Sequence, residues 1–111
     1  MPTLQQAQQP IDEAIARSVR QSIPADWTAA VLTLERRRDS SGVGDFSHSL
    51  ASNDGRSPAM PDDSIYDATF QLDEVFRRHG AFLTRATYRV EQRAGGEWSY
   101  SADYEHEHTT A

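Results

Sequence analysis

The sequence predicts an α+β domain in which two helices pack on one face of an antiparallel four-stranded sheet. Apolar residues recur at helical spacing near the N-terminus and again after residue 62, and they alternate with polar residues in the segments between and after these helices. These patterns give the order α-β-β-α-β-β along the chain. Strands that are adjacent in the chain most simply pair as antiparallel neighbours, so this order predicts an antiparallel sheet with the helices on one face.

The first predicted helix runs from about residue 4 to about residue 22. Asp12 and Glu13 lie with arginine and glutamine residues on its polar side. Pro10 suits the first turn of a helix, so the pattern also allows a start near Pro10 after a frayed segment. Pro24 ends the helix. Its buried stripe consists of Ala7, Ile11, Ala14, Ile15, Val19 and Ile23.

Two strands are predicted next. Residues 27–36 carry apolar side chains on both alternating rows, which indicates a central strand that is partly buried on both faces. A turn at residues 39–44 leads to a second strand, in which Phe46, His48 and Leu50 alternate with serines. This second strand is expected to pair back on the first, and residues 53–61 are expected to form a loop.

The second predicted helix begins at an acidic cap and ends at a glycine. Asp62, Asp63 or Ser64 can cap its N-terminus, where the helix dipole favours negative charge. We expect the helix to stop at Gly80, because glycine adopts the left-handed conformation most easily. Its buried stripe consists of Ile65, Ala68, Leu72, Val75 and Phe76.

A hairpin is predicted to close the fold. The segments on both sides of the turn Ala94-Gly95-Gly96 alternate apolar and polar residues, as half-buried strands do. Their apolar rows are Ala86, Tyr88 and Val90 before the turn, and Trp98, Tyr100, Ala102 and Tyr104 after it.

Length and composition indicate one ordinary globular domain over residues 1–111, with residues 1–9 and 105–111 expected to fray. The chain has no cysteine, which excludes a disulfide framework and a thiolate metal site and fits a reducing compartment. It also shows neither a signal peptide nor an apolar run that could span a bilayer. We therefore expect a cytoplasmic protein without membrane contact.

The net charge of −6 argues against direct nucleic-acid binding, because phosphate contacts need clustered basic residues and this chain contains no lysine. An acidic surface suits a basic protein partner. The simpler alternative is that the acidic excess only keeps the domain soluble.

In the segment Ile23-Pro24-Ala25-Asp26-Trp27, a proline ends the first helix, and an acidic residue and a tryptophan open the first strand. This segment resembles the start of the YezG-like immunity-protein family of bacterial polymorphic toxin systems. Residues 72–80 look like the family's second helix, and residues 96–104 look like its closing strand. The chain departs from the family in its short loop before the second helix, its lack of lysine, and Phe82 in place of a tryptophan before the third strand.

The resemblance implies an antitoxin-type protein that binds and neutralises a cognate toxin, often a nuclease, inside the producing cell. It implies no catalysis and no cofactor, and the matching positions are mainly structural. The side chains expected to pack in the core or on the sheet are accordingly Trp27, Trp98 and Tyr104, and Asp26 is expected to be a turn or cap residue and not a functional acid. The oligomeric state can be a monomer or a homodimer. The alternative function is that of a small ligand-binding domain or enzyme with a pocket between sheet and helices.

The candidate partner-binding residues lie on the second helix. Tyr66 and Phe70 point about 100° or more away from the buried stripe, so they form either a wider buried face or an exposed aromatic pair at an interface. Three carboxylates flank the pair and would form an acidic rim for a basic toxin surface: Asp67, Asp73 and Glu74.

Catalytic and metal-binding patterns are weak. His48 with Asp103 or Glu97 could form an acid/base pair, but a surface histidine is the simpler interpretation. His106 and His108 would share one side of a strand and supply two metal ligands, although a complete site needs more. We therefore expect no enzyme activity, no metal and no cofactor.

Overall fold

The computed structural model describes residues 3–36, 46–53, 55 and 57–108. These residues form two helices and one five-stranded sheet with the strand order β3-β2-β1-β4-β5, in which all neighbours are antiparallel. The elements are α1 (Leu4–Ser22), β1 (Ala29–Arg36), β2 (Phe46–Ser52), β3 (Pro58–Ala59), α2 (Asp63–Arg78), β4 (Ala81–Gln92) and β5 (Trp98–His108).

The α+β class is confirmed, but the predicted number of four strands is wrong. The additional strand β3 lies within residues 53–61, which were predicted to form a loop, and it pairs with Leu50 and Ala51 of β2. Two residues are too few to show an alternating pattern, and Pro58 is compatible with a position at the edge of a sheet. The turn predicted at residues 39–44 lies outside the described residues.

Helix α1 begins earlier than Pro10. The Thr3 side chain accepts a hydrogen bond from the Gln6 backbone, and the Gln6 side chain accepts one from the Thr3 backbone, so that a capping box starts the helix at Leu4. Pro10 lies inside the helix, and residues 4–9 belong to it although they were expected to fray. The cap satisfies backbone donors that the first turn leaves without a partner.

Helix α2 has the predicted bounds and is tied to the end of α1. The Asp62 side chain caps it by accepting a bond from the Ser64 backbone, and Gly80 follows it with φ of 77°. The Ser22 hydroxyl accepts a 3.0 Å bond from the Asp62 backbone N–H, and the Ser18 and Ser64 hydroxyls lie 2.7 Å apart. These contacts hold the C-terminal end of α1 against the N-terminal end of α2.

The predicted hairpin is confirmed. β4 and β5 pair from Gln92 opposite Trp98 to Ala81 opposite His108, so residues 105–108, which were expected to fray, belong to the strand. The turn uses Gly96 with φ of 87°, a conformation that glycine adopts without steric cost. The register shifts once, between Leu83 and Arg85.

The core lies between the helices and one face of the sheet. The buried row of the central strand is Ala30, Leu32 and Leu34, while Val31 and Thr33 on the opposite row are half-buried. Trp27, Trp98 and Tyr104 are half-buried and pack against this core, as predicted. The largest fully buried side chains include Tyr88, Phe76, Ile15, Leu32, Leu34, Ile65, Leu72 and Leu83. We call the face under the helices the inner face and the opposite one the outer face.

Candidate functional site

The exposed aromatic pair predicted on α2 is present. Phe70 is 69% exposed and Tyr66 is 38% exposed, whereas Ile65 and Phe76 on the neighbouring stripe are buried. Phe70 is the most exposed aromatic side chain of the described residues. The alternative of a wider buried face is therefore wrong. Below, the α2 surface denotes Tyr66, Asp67, Phe70 and Glu74.

Tyr66 is held in place from below by β2. Its ring lies 4.4 Å from the ring of His48, centroid to centroid. The Nε2 atom of His48 lies 2.8 Å from the hydroxyl of Thr69, and that hydroxyl donates a bond to the Ile65 carbonyl. One half of the aromatic pair is thus ordered by contacts with the sheet, while Phe70 projects into solvent.

Asp73 does not belong to the exposed rim. Its side chain is 13% exposed and pairs at 2.5 Å with the Arg36 guanidinium, which is 9% exposed, and at 3.1 Å with Arg77. Arg36 also donates to the Leu83 carbonyl and lies 4.6 Å from the Phe46 ring centroid. Asp73 therefore joins α2 to the sheet, and its predicted role in an exposed acidic rim is corrected to a structural one.

The two other predicted carboxylates are exposed. Glu74 pairs with Arg78 at 2.6 Å, one turn along the helix, in a solvent-exposed ion pair. Asp67 lies between the two aromatic residues in the sequence and has no ion pair within the described segments. The negative charge of the α2 surface is thus concentrated at Asp67 and partly neutralised at Glu74.

A groove between α1 and β5 was missed by the sequence analysis. Its volume is about 220 Å³, and we call it the α1–β5 groove. Two guanidinium groups from α1 and two aromatic rings from β5 meet there, although the residues are about 80 positions apart in the chain. The only sequence signal for this groove was the set of arginine residues on the polar side of α1. The lining residues are Glu13, Ala16, Arg17, Arg20, Val90, Trp98, Ser99 and Tyr100.

A polar network beside this groove is enclosed by the core. Asp12, which the helical pattern placed on the polar side of α1, is only 6% exposed and accepts a 2.6 Å hydrogen bond from the Tyr88 hydroxyl. Burial raises the pKa of the Asp12 carboxyl, while hydrogen bonds from Tyr104 and Tyr88 act in the opposite direction. Burial also raises the pKa values of both tyrosines. The network links α1 to β4 and β5 of the sheet.

The structure does not assemble the predicted acid/base pair. His48 lies on β2 and Asp103 on β5, with β1 and β4 between them, a separation of roughly 14 Å at the usual strand spacing. The two side chains also lie on opposite faces, because His48 faces Thr69 of α2 whereas Asp103 is paired with Thr87 on the outer face. Glu97 precedes β5 and is separated from β2 by the same strands.

The predicted metal ligands are placed only in part. The His106 ring lies 5.7 Å from the Phe76 ring, and the side chain of His108 is outside the described residues. In the described ranges no group of three or more histidine, aspartate or glutamate side chains could hold a metal ion. Neither α1 nor α2 contains an apolar stretch of the length needed to cross a bilayer.

No protein-family model matches the chain, and no significant match is found among curated proteins or solved structures.

Proposed function

We propose that this protein is an immunity-type protein that binds a toxin domain through the α2 surface and neutralises it by contact, without catalysis. The observation that carries the proposal is the exposure of Phe70, at 69%, beside a tyrosine that is fixed by His48. Exposed aromatic side chains with a rigid neighbour supply much of the affinity at protein interfaces at a small cost in conformational entropy. The resemblance of residues 23–27 and 96–104 to immunity proteins supports the same function.

The charge of the protein indicates what kind of toxin domain it would bind. The net charge is −6, and Asp67 adds an exposed carboxylate to the α2 surface that has no ion pair among the described residues. Carboxylates at the rim of an interface mainly accelerate association with a basic partner, whereas the central aromatic residues slow dissociation. The proposed partner is therefore a basic toxin domain, such as a nuclease, inside the producing cell.

The proposal is tested by a pull-down with this protein from its native organism, after which the captured toxin domain is produced in a catalytically inactive form. Phe70→Ala should weaken binding by about 2 kcal/mol or more, through faster dissociation. The double variant Asp67→Asn, Glu74→Gln should slow association, and most strongly at low salt. Surface plasmon resonance at two salt concentrations measures both rates.

Phe82→Ala is the matched control. Phe82 is a phenylalanine of β4 that is 40% exposed and lies 5.9 Å from the Arg77 guanidinium, outside the α2 surface. Loss of the Phe82 ring should leave the association and dissociation rates of the toxin domain unchanged. Equal losses in the two phenylalanine variants, or unchanged kinetics in Phe70→Ala with an intact fold, would contradict the proposed interface.

The α1–β5 groove favours a second candidate function, the binding of a small ligand between sheet and helix. Arg17 and Arg20 would suit a carboxylate or phosphate group, and Trp98 an aromatic ring. A volume of about 220 Å³ is below the range usual for such sites, which places this candidate second. Trp98 fluorescence that changes on addition of an anionic aromatic compound, and does not change in Arg17→Ala, would support it.

A further inference from the structure

The two edges of the sheet differ in how they are protected. One edge is β3, which has two residues and begins with a proline, so that it offers little backbone for pairing. Among the residues that the structure describes, the other edge is β5, which has eleven residues and contains no proline. Natural proteins usually shorten, bend or cover edge strands, because an open edge pairs readily with another chain. A long unprotected edge such as β5 therefore indicates a place where another strand can pair.

The backbone groups that β5 presents can be identified from the ladder. Arg93 N–H donates a 2.6 Å bond to the Glu97 carbonyl, which marks one hydrogen-bonded pair between the two arms of the hairpin. Hydrogen-bonded pairs alternate with non-bonded pairs in an antiparallel ladder. The N–H and C=O groups of Tyr100, Ala102 and Tyr104 therefore point away from β4, toward the open edge.

Side-chain charge argues against a second copy of this chain at that edge. The outer-face row of β5 contains two serines and three carboxylates and no cation: Ser99, Ser101, Asp103, Glu105 and Glu107. An antiparallel partner strand places its outer-face side chains directly opposite this row. Self-paired registers that set Asp103 opposite Asp103 or Glu105 place like charges in opposite positions, which is destabilising. Registers that set the carboxylates opposite serines supply no cation to pair with them, whereas a partner strand with cations supplies one at each position.

The other face of an added strand would lie beside the α1–β5 groove. Trp98 and Tyr100 form the floor of the groove, and Arg17 and Arg20 lie at its side without an ion pair within the described segments. Alternate residues of an added strand point to this face, where the groove leaves about 220 Å³ of space. Apolar side chains at these positions would contact the rings of Trp98 and Tyr100.

We propose that β5 binds an extended strand of another protein by adding it to the sheet, and that this strand carries arginine or lysine at every second position. The cationic side chains face Asp103 and Glu105, and the apolar side chains between them enter the α1–β5 groove. Main-chain hydrogen bonds to Tyr100, Ala102 and Tyr104 fix its register. This surface is separated by β1 and β4 from β2, the strand that supports Tyr66, so it goes beyond the function proposed for the α2 surface.

A capped eight-residue peptide that alternates arginine and valine is the probe. Its binding should protect the backbone N–H groups of Tyr100, Ala102 and Tyr104 from hydrogen exchange, as followed by NMR. The neighbouring Ser101 and Asp103 N–H groups already bond to β4 and should change less. A peptide that alternates glutamate and valine should bind at least tenfold more weakly.

A pair of charge reversals locates the site. Asp103→Arg should weaken binding of the arginine peptide at least tenfold, because it places a cation opposite the cationic row. Asp26→Arg makes the same change of net charge in the exposed turn before β1 and should leave the affinity within about twofold. Binding that depends only on net charge would weaken equally in both variants.

Three results would overturn the proposal. The first is equal weakening of peptide binding in Asp103→Arg and Asp26→Arg, and the second is no protection of the three outward N–H groups from exchange. The third is a dimeric mass without peptide that becomes monomeric in Asp103→Arg or Ala102→Pro. The last result would show that β5 pairs with a second copy of the chain. Ala102→Pro removes one of the outward N–H groups without removing a bond to β4 and should abolish peptide binding. Its helix and strand content, measured by circular dichroism, checks that the fold persists.

Discussion

The Tyr88 hydroxyl donates a 2.6 Å hydrogen bond to the Asp12 carboxylate across 76 positions of the chain. Tyr88 is fully buried on β4, and Asp12 is 6% exposed on α1, so the bond joins the first helix to the middle of the sheet. The Tyr104 hydroxyl lies 3.4 Å from that of Tyr88 and connects β5 to the same network. A buried carboxylate is tolerated here because hydroxyl donors surround it.

Tyr88→Phe should lower the free energy of unfolding by about 1.5 to 3 kcal/mol. The substitution keeps the ring and removes the donor, so the cost is that of a buried acceptor that loses a charged hydrogen bond. Tyr100→Phe is the control, because Tyr100 is 39% exposed, and it should change stability by less than about 0.5 kcal/mol. Urea unfolding of the two variants measures the difference, and equal values would contradict a structural role for the network.

Asp12→Asn should change how stability depends on pH. The pKa of Asp12 is raised above its ordinary value of 3.8, mainly by burial, so the folded state binds more protons than the unfolded state between the two values. Stability contributed by this group therefore falls as pH rises through that window. The wild type should gain stability relative to Asp12→Asn on going from about pH 7 to about pH 4. A constant difference across that range would show that Asp12 titrates normally.

Local periodicity predicted the two helices and the closing hairpin and placed Tyr66 and Phe70 off the buried stripe, because each of these follows from the direction of side chains within one element. It left open whether the two rings are exposed, which the packing of the helix decides. It did not predict the Asp12 network or the α1–β5 groove, since their partners come from distant elements. Asp12 lies on the polar side of α1 by sequence, and only the packing of the helix on β4 buries it. A strand of two residues, β3, has no pattern to detect.

Asp73→Ala should destabilise the protein by about 1.5 to 3 kcal/mol, because it removes the charged hydrogen bond between Asp73 and the largely buried Arg36 guanidinium. Glu74→Ala is the control on the adjacent position of the same helix. Its ion pair with Arg78 is exposed, so it should cost less than about 0.5 kcal/mol. Thermal unfolding distinguishes the two variants. Similar melting temperatures would contradict the structural role of Asp73 and would support its predicted place in the exposed acidic rim.

Phe70→Ala and Phe76→Ala separate a residue available for binding from a residue of the core on the same helix. Phe76 is 1% exposed, and its truncation should cost about 3 to 5 kcal/mol through lost burial and the cavity left behind. Phe70 is 69% exposed, so its truncation should change the free energy of unfolding by less than about 1 kcal/mol, and the higher helix propensity of alanine acts in its favour. Urea unfolding followed by circular dichroism measures both values. A loss above about 2 kcal/mol in Phe70→Ala would mean that the ring packs against the fold in solution, and it would remove the α2 surface as the site of toxin binding.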